Sequence, residues 1–190
     1  MPKKVDPEER RRLIADALIR VAARHGLEAI SLRHVAADAG ISPGMVQHYF
    51  RTKDEMMTFA LAVVRERSQT RVTEAVARLG DNPSPRGLLR TMIAALLPLD
   101  DQTRDEGRVA LGFLAYTAVR PATSPLREET GQMLDFMAGL MPSPKPDEAA
   151  AGLLALMEGL GVYLLGGQYG AEQALRALDV YLDLIFGSSS

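Results

Sequence analysis

The sequence contains no cysteine and no tryptophan, and only 5% of its 190 residues are aromatic. Without cysteine, the chain can form neither a disulfide nor a thiolate metal site. No apolar run reaches about 18 uninterrupted residues, the length that a membrane-spanning helix needs. The charged start of the chain also lacks the apolar segment of a signal peptide. These absences favour a soluble, cytoplasmic protein with no membrane partner.

Residues for enzymatic chemistry are also scarce. The three histidines, His25, His34 and His48, have no carboxylate pair at metal-ligand spacing. No cysteine nucleophile is available, and the phosphate-binding pattern Gly-x-x-x-x-Gly-Lys-Ser/Thr is absent. We therefore expect no catalytic residue, no metal and no cofactor, and we predict that the protein is not an enzyme.

Charge is distributed unevenly along the chain, although the net charge is only −2. Residues 1–53 contain ten Lys/Arg and six Asp/Glu, a net charge of +4. The remaining residues contain 12 basic and 18 acidic groups, a net charge of −6. A basic segment ahead of an acidic one suits a protein whose N-terminal part meets a polyanion such as nucleic acid.

Helix signals recur throughout the chain, and no segment alternates as a strand does. Apolar residues recur at helical spacing, and residues that cap helices precede most of these segments. The pattern predicts about nine helices: three in a head, a connector to about Leu79, and five in a body, ending near Leu97, Val119, Met141, Gly166 and Phe186. The start signals are Asp6-Pro7, Ser31, Ser42-Pro43, Thr52 with Glu55, Ser84-Pro85 and Ser124-Pro125.

The stretch from Ser31 to Lys53 is typical of a helix-turn-helix, although a plain helical hairpin has the same spacing. Gly40 suits the left-handed turn, and Val46 and Phe50 are predicted to face inward. Free backbone N–H groups at the start of the second helix can hold phosphate, and Gly44 lets the backbone approach DNA. The predicted outward or cationic groups are Arg33, Gln47, His48, Tyr49 and Lys53.

A resemblance to a known family rests on two motifs. Residues from about 13 to 60 carry S-L-x-x-V-A-x-x-A-G-I-S-x-G followed by Y-F-x-x-K-x-x-M, and they resemble the head of TetR-family transcriptional regulators. The segments LLALMEGLGVYLLGG and EQALRALDVYLDLIF are similar to the end of the betaine-regulator-like branch. Many members carry Tyr where Gln47 stands, and often His where Tyr49 stands, so base preference is not carried over.

The resemblance implies an all-α protein with a DNA-binding head over residues 1–53. A connector helix and a ligand-binding and dimerisation bundle would occupy residues 54–190. It implies a homodimer through the last two helices, bound to double-stranded DNA at a palindromic operator. The implied DNA contacts are Arg33, Ser42, Pro43, Gly44, Gln47, His48, Tyr49 and Lys53.

The resemblance further implies a body cavity for a small-molecule effector that releases the DNA. Met and aromatic side chains adapt to varied apolar ligands, although any one such residue is more often ordinary core. The candidate lining residues are Met92, Leu96, Phe113, Tyr116, Met133, Phe136, Met137, Met157, Tyr163 and Tyr169. The expected function is a homodimeric, ligand-released repressor. A helical interaction module without ligand control is the alternative, and an enzyme is a weaker one.

Overall fold

The computed structural model describes residues 6–118 and 124–187, and the side chains of all of these except residues 116–118 and 124–127. The described residues form nine α-helices and no strand, so the all-α prediction is confirmed. The helices are α1 (Pro7–His25), α2 (Leu32–Ala39), α3 (Pro43–Tyr49), α4 (Lys53–Ala77), α5 (Pro85–Leu96), α6 (Asp101–Ala118), α7 (Ser124–Ala138), α8 (Pro146–Leu165) and α9 (Ala171–Phe186).

Side-chain caps determine where most of the early helices begin. A cap oxygen accepts a backbone N–H that the first turn would otherwise leave without a partner. The cap pairs are Asp6 with the N–H of Glu8, Ser31 with His34, Ser42 with Met45, Thr52 with Glu55 and Ser84 with Gly87, at 3.0–3.2 Å. These predicted starts are confirmed. They could be predicted because each cap acts within three residues along the chain.

Some helix boundaries differ by two or three residues from the predicted ones, including the end of α4 at Ala77 rather than near Leu79. α6 begins at Asp101, directly after Asp100, whose carboxylate accepts the N–H of Thr103 at 2.8 Å. This backbone hydrogen bond is the main reason that the pKa of Asp100 lies below its ordinary value. α7 ends at Ala138 rather than near Met141, and the predicted end of α6 at Val119 lies outside the described residues.

The chain divides into two compact units, and the first contains the head. It consists of residues up to Arg67 together with Arg104–Leu114 of α6. Its core comes mainly from α1 and the first half of α4, with Val109 of α6 also buried in it. The predicted domain boundary after residue 53 stays a prediction, since the core of this unit also includes Met56, Ala60, Val63 and Val64.

An arginine-centred ion-pair network links three helices of the first unit. Arg67 on α4 pairs with Asp16 on α1 at 2.6 Å and with Glu106 on α6 at 3.5 Å. Glu106 is only 2% exposed, and a buried carboxylate needs such partners to offset its desolvation. The network therefore fixes this stretch of α6 against α1 and α4.

The second unit consists of Ser68–Thr103 together with the residues from Ala115 onward. Its core contains Leu89 and Ile93 of α5, Leu153 and Leu160 of α8, and residues of α7 and α9. A two-point ion pair joins α5 to α9: Arg90 donates to Asp179 from Nε at 2.5 Å and from Nη2 at 3.0 Å. The hydrogen bond from Arg90 holds the pKa of Asp179 below its ordinary value.

Asp179→Asn is expected to make the free energy of unfolding less sensitive to acid. A carboxylate whose pKa is lower in the fold stabilises the protein above its unfolded pKa of about 3.9, and this contribution disappears as the pH falls through the folded pKa. We expect a loss of about 1 kcal/mol at pH 7 and a smaller difference from the parent near pH 3. Urea denaturation at both pH values measures this.

The control for this experiment is Glu172→Gln, which removes a more exposed ion pair with Arg176 on α9. We expect this variant to keep the stability of the parent protein within about 0.5 kcal/mol. An equal loss for Asp179→Asn at pH 7 and pH 3 would contradict a charge-dependent contribution of Asp179.

Helix α8 is apolar on most of its surface. An 18-residue window within Pro146–Leu165 has a mean hydropathy of 1.5, and 22% of it is buried. By length and composition alone the helix is long and apolar enough to cross a membrane, as core helices of soluble proteins can also be. Its exposed apolar side chains, Val162 and Tyr163 among them, require another explanation if the protein is soluble.

Candidate nucleic-acid interface

Helices α2 and α3 form a tight pair joined by a short turn. Gly40 ends α2 at φ 66°, a left-handed conformation that favours glycine, and its N–H donates to the carbonyls of Ala36 and Ala37. Val35 and Ala36 of α2 and Val46 of α3 are buried in the core of the first unit. The packing of these residues leaves the opposite side of α3 facing outward.

Helical geometry explains which residues of α3 are exposed. Each residue turns about 100° around the axis, so Gly44 and His48 lie opposite the buried Val46, and Gln47 lies to one side. All three are exposed. Tyr49, which was expected to project outward, turns partly back towards the core: it is half-buried, and its ring meets His48 edge-on at 5.1 Å.

The start of α3 is open to an approaching surface. The Ser42 hydroxyl accepts the N–H of Met45 at 3.2 Å, and both Pro43 and Gly44 are exposed. A Cβ added at Gly44 would have only the Ser42 Oγ as a neighbour, at 4.0 Å. The predicted role of Gly44, close approach of the backbone to DNA, is therefore sterically possible in the folded chain.

Two exposed cations lie on the helices that precede and follow α3 in the chain. Arg33 lies in the first turn of α2, and Lys53 is the first residue of α4. The Lys53 ammonium donates to the backbone carbonyl of Leu27 at 3.4 Å. Within the described part of the chain neither cation forms an ion pair, so both charges are available to a polyanion.

The one acidic residue within α2 and α3, Asp38, is already paired with two arginines. Asp38 of α2 accepts from Arg20 at 2.7 Å and from Arg24 at 3.1 Å, both on α1. Its side chain is only 12% exposed. These bonds hold α1 to α2 and leave Asp38 little capacity to repel a phosphate.

Sequence reasoning did not single out Met45, although it lies on the exposed surface of α3. Its side chain is 41% exposed, whereas Val46 beside it is fully buried. An apolar residue in an amphipathic pattern is normally assigned to the core, which explains the omission. The available signal was the turn of about 100° between neighbouring helix residues, which places Met45 outside when Val46 is inside.

The candidate ligand residues are spread over different environments. Met137 is buried in the core of the second unit, and Met157 and Tyr169 pack against that core. Met92 and Leu96 are half-buried, whereas Met133, Phe136 and Tyr163 are exposed. Phe113 belongs to the first unit, and the side chain of Tyr116 lies outside those described. Tyr163 and Tyr169 stack with ring centroids 4.8 Å apart.

The described residues of the second unit line at least two surface grooves. One, of about 400 Å³, is mainly apolar and is lined by Leu156, Gln173, Arg176, Ala177, Val180, Tyr181 and Leu184 of α8 and α9. The other, of about 360 Å³, runs along the end of α4 and α5 and includes Arg71, Arg78 and Arg90. Neither groove is lined by any of the ten candidate ligand residues. Among the described residues no cluster of His, Asp and Glu could hold a metal ion.

A compact helix-turn-helix with exposed cations, at the start of an otherwise helical chain, defines the class: a helix-turn-helix transcriptional regulator. Two family models match the chain. The model of bacterial regulatory proteins of the tetR family covers residues 14–58, and that of the BetI-type transcriptional repressor C-terminal region covers residues 85–187. The chain belongs to the TetR family of transcriptional regulators, which are not enzymes.

Individual proteins show the same similarity over nearly the full length. The HTH-type transcriptional regulator BetI of Stenotrophomonas maltophilia is 31% identical over 96% of this chain and 96% of its own. A crystal structure of a transcriptional regulator from Rhodococcus sp. Rha1 is 33% identical, with a TM-score of 0.81 over 92% of this chain and 95% of that one. A regulator from Saccharomonospora viridis, solved in complex with choline, shares the fold at 22% identity, with a TM-score of 0.76 over 93% and 96%.

Proposed function

We propose that the protein is a homodimeric repressor that binds a palindromic operator through α3 and is released by a small-molecule effector. The observation that carries the proposal is the outward surface of α3, where Gly44, Gln47 and His48 are exposed, together with the exposed cations Arg33 and Lys53 on the preceding and following helices. The match of the C-terminal half to a BetI-type repressor model supports repression rather than activation. The DNA contacts proposed are those expected from the sequence, with Tyr49 contributing from its exposed edge.

The exposed apolar surface of α8 and α9 supports the dimer. Val180 is 62% exposed and Leu184 is 79% exposed, and both line the 400 Å³ groove together with Leu156 and Tyr181. Soluble monomers seldom leave large apolar side chains clustered in this way. In a two-fold dimer the same patch of each subunit would cover that of the other. Two heads related by such an axis would fit the two halves of a palindrome.

Lys53→Ala and Gln47→Ala are expected to affect DNA binding in different ways. Lys53 is proposed to contact phosphate, so its loss should weaken binding to all duplexes and reduce the slope of log affinity against log salt by about 1 per subunit. Gln47 is proposed to contact a base edge, so its loss should mainly reduce the preference for operator over unrelated DNA. Fluorescence anisotropy with operator and scrambled duplexes at several salt concentrations distinguishes them.

Lys145→Ala, which removes the same charge at an exposed residue just before α8, is the control and should leave both the preference and the salt slope unchanged. Equal losses on every sequence for both head variants would contradict the role proposed for Gln47. Binding of the parent protein to promoter DNA no better than to random duplex at moderate salt would contradict the proposed function itself.

Effector control requires a ligand that binds the DNA-free form more tightly than the operator-bound form. By linkage, such a ligand must weaken operator binding by the same factor by which the operator weakens ligand binding. The half-buried candidates Met92, Leu96, Met157 and Tyr169 are the positions that we propose for contact with it. Choline, which the Saccharomonospora viridis regulator binds, is the first probe to test. A probe that raises the melting temperature but leaves operator affinity unchanged would not be the effector.

A further inference from the structure

Met45 is an apolar side chain in the part of the molecule proposed to enter the major groove. Helix α3 directs Val46 into the core, which places Met45 about 100° away, on the side that also carries exposed His48. The other exposed large apolar residues described in the first unit, Leu13 on α1 and Leu114 on α6, lie outside α2 and α3. At 41% exposure, Met45 is thus an exception within the proposed contact surface.

The backbone at Met45 is held in place, whereas the side chain can move. Its N–H is fixed by the Ser42 hydroxyl at 3.2 Å, in the first turn of α3. The first turn of a recognition helix is the part that contacts base edges in helix-turn-helix proteins. A methionine side chain has three rotatable bonds and a polarisable sulfur, so it can follow an apolar surface of irregular shape.

Base edges in the major groove offer a methionine one good apolar partner. The edges of guanine, adenine and cytosine present hydrogen-bond donors and acceptors, to which a thioether offers only a weak acceptor and no donor. Thymine alone adds a methyl group, at C5. We infer that Met45 contacts the 5-methyl group of a thymine in each operator half-site and so sets base preference at that position.

This inference rests on the proposed function, because it requires α3 to lie in the major groove. It differs from the role given to Gln47, which acts through hydrogen bonds, since Met45 would act only by removing apolar surface from water. The thymine methyl can be deleted without changing base pairing, because deoxyuridine lacks only that group. The contact can therefore be tested from both sides, protein and DNA.

The experiment uses the full chain and an operator obtained by selection from random duplexes. Each thymine of the half-site is replaced by deoxyuridine in turn, in both half-sites at once, and affinity is measured by anisotropy. Burial of one methyl group corresponds to about fourfold in affinity. Because the methyl group is removed from both half-sites at once, we expect about a 15-fold loss at one thymine position and little change at the others. Met45→Ala should bind the thymine and deoxyuridine operators equally at that position.

Two further variants separate this contact from general damage. Met45→Leu keeps an apolar side chain and should retain discrimination between thymine and deoxyuridine. Gln47→Ala should bind more weakly but keep the discrimination that depends on Met45. Because Met45 is exposed and alanine favours helix, the melting temperature of Met45→Ala should match that of the parent protein.

The possible results distinguish this inference from the proposed function. Specific operator binding that is insensitive to deoxyuridine at every thymine overturns the contact but leaves the proposed function intact. The same holds if Met45→Ala keeps the full discrimination between thymine and deoxyuridine. Failure to select any operator overturns the proposed function, and this inference with it.

Discussion

Replacing Val180 and Leu184 together by glutamate is expected to convert the proposed dimer into a monomer. The two residues lie one helical turn apart on α9, and both are largely exposed in the single chain. Burial of each apolar side chain in an interface is worth about 1.5 kcal/mol or more, and a glutamate there would also lose its hydration. We therefore expect dimerisation to weaken by at least about 100-fold, as measured by sedimentation velocity at micromolar concentration.

The same double variant should bind operator DNA far more weakly. A dimer places its second head at a high effective concentration near the second half-site, and a monomer loses this advantage, typically a factor of about 10²–10⁴. Leu79→Glu is the matched control because Leu79 is a partly exposed apolar residue that does not line the α8–α9 groove. A double variant that stays dimeric, or a parent protein that is monomeric, would rule out this surface as the interface.

Phe50→Ala is expected to destabilise the first unit by about 3–5 kcal/mol. Phe50 is fully buried directly after α3, and its ring lies 5.5 Å from that of Phe59 on α4. The Arg11 guanidinium lies over both rings, 4.9 Å and 4.4 Å from their centroids. Removal of the ring leaves a cavity and weakens the attachment of α3 to α1 and α4, so operator affinity should fall as well.

Urea denaturation followed by circular dichroism measures the loss. Phe136→Ala is the control: Phe136 is 46% exposed on α7, and its replacement should cost about 1 kcal/mol, well below the loss for Phe50→Ala. Equal stabilities for the two variants would show that Phe50 does not hold α3 in place.

Local features of the fold could be predicted from the sequence, whereas distant contacts could not. The caps at Ser31 and Ser42 and the left-handed Gly40 depend on bonds within a few residues, so their patterns are visible in a short stretch. The ion pairs of Arg67 with Asp16 and Glu106 join residues separated by 51 and 39 positions, and nothing in the local sequence indicates them. For the same reason, burial of Val109 of α6 in the core around the helix-turn-helix was not anticipated.

The candidate DNA contacts show the same division. Exposure of Gly44, Gln47 and His48 followed from helical spacing once Val46 was placed inside. Tyr49 is half-buried because the same helical spacing turns it back towards the core. Assigning each residue simply as inward or outward overlooks such intermediate positions. The proposed ligand residues are harder to predict, since a side chain that lines a pocket and one that fills a core have the same composition.

The most direct test of operator recognition is selection of bound duplexes from a random pool by the purified full chain. We expect an enriched inverted repeat whose half-sites are spaced for two heads on one side of the duplex, with affinity that falls steeply as salt increases. Mapping this repeat in the genome would then indicate the regulated genes. Recovery of a pool with no enriched sequence would contradict the central claim that α3 recognises a specific operator.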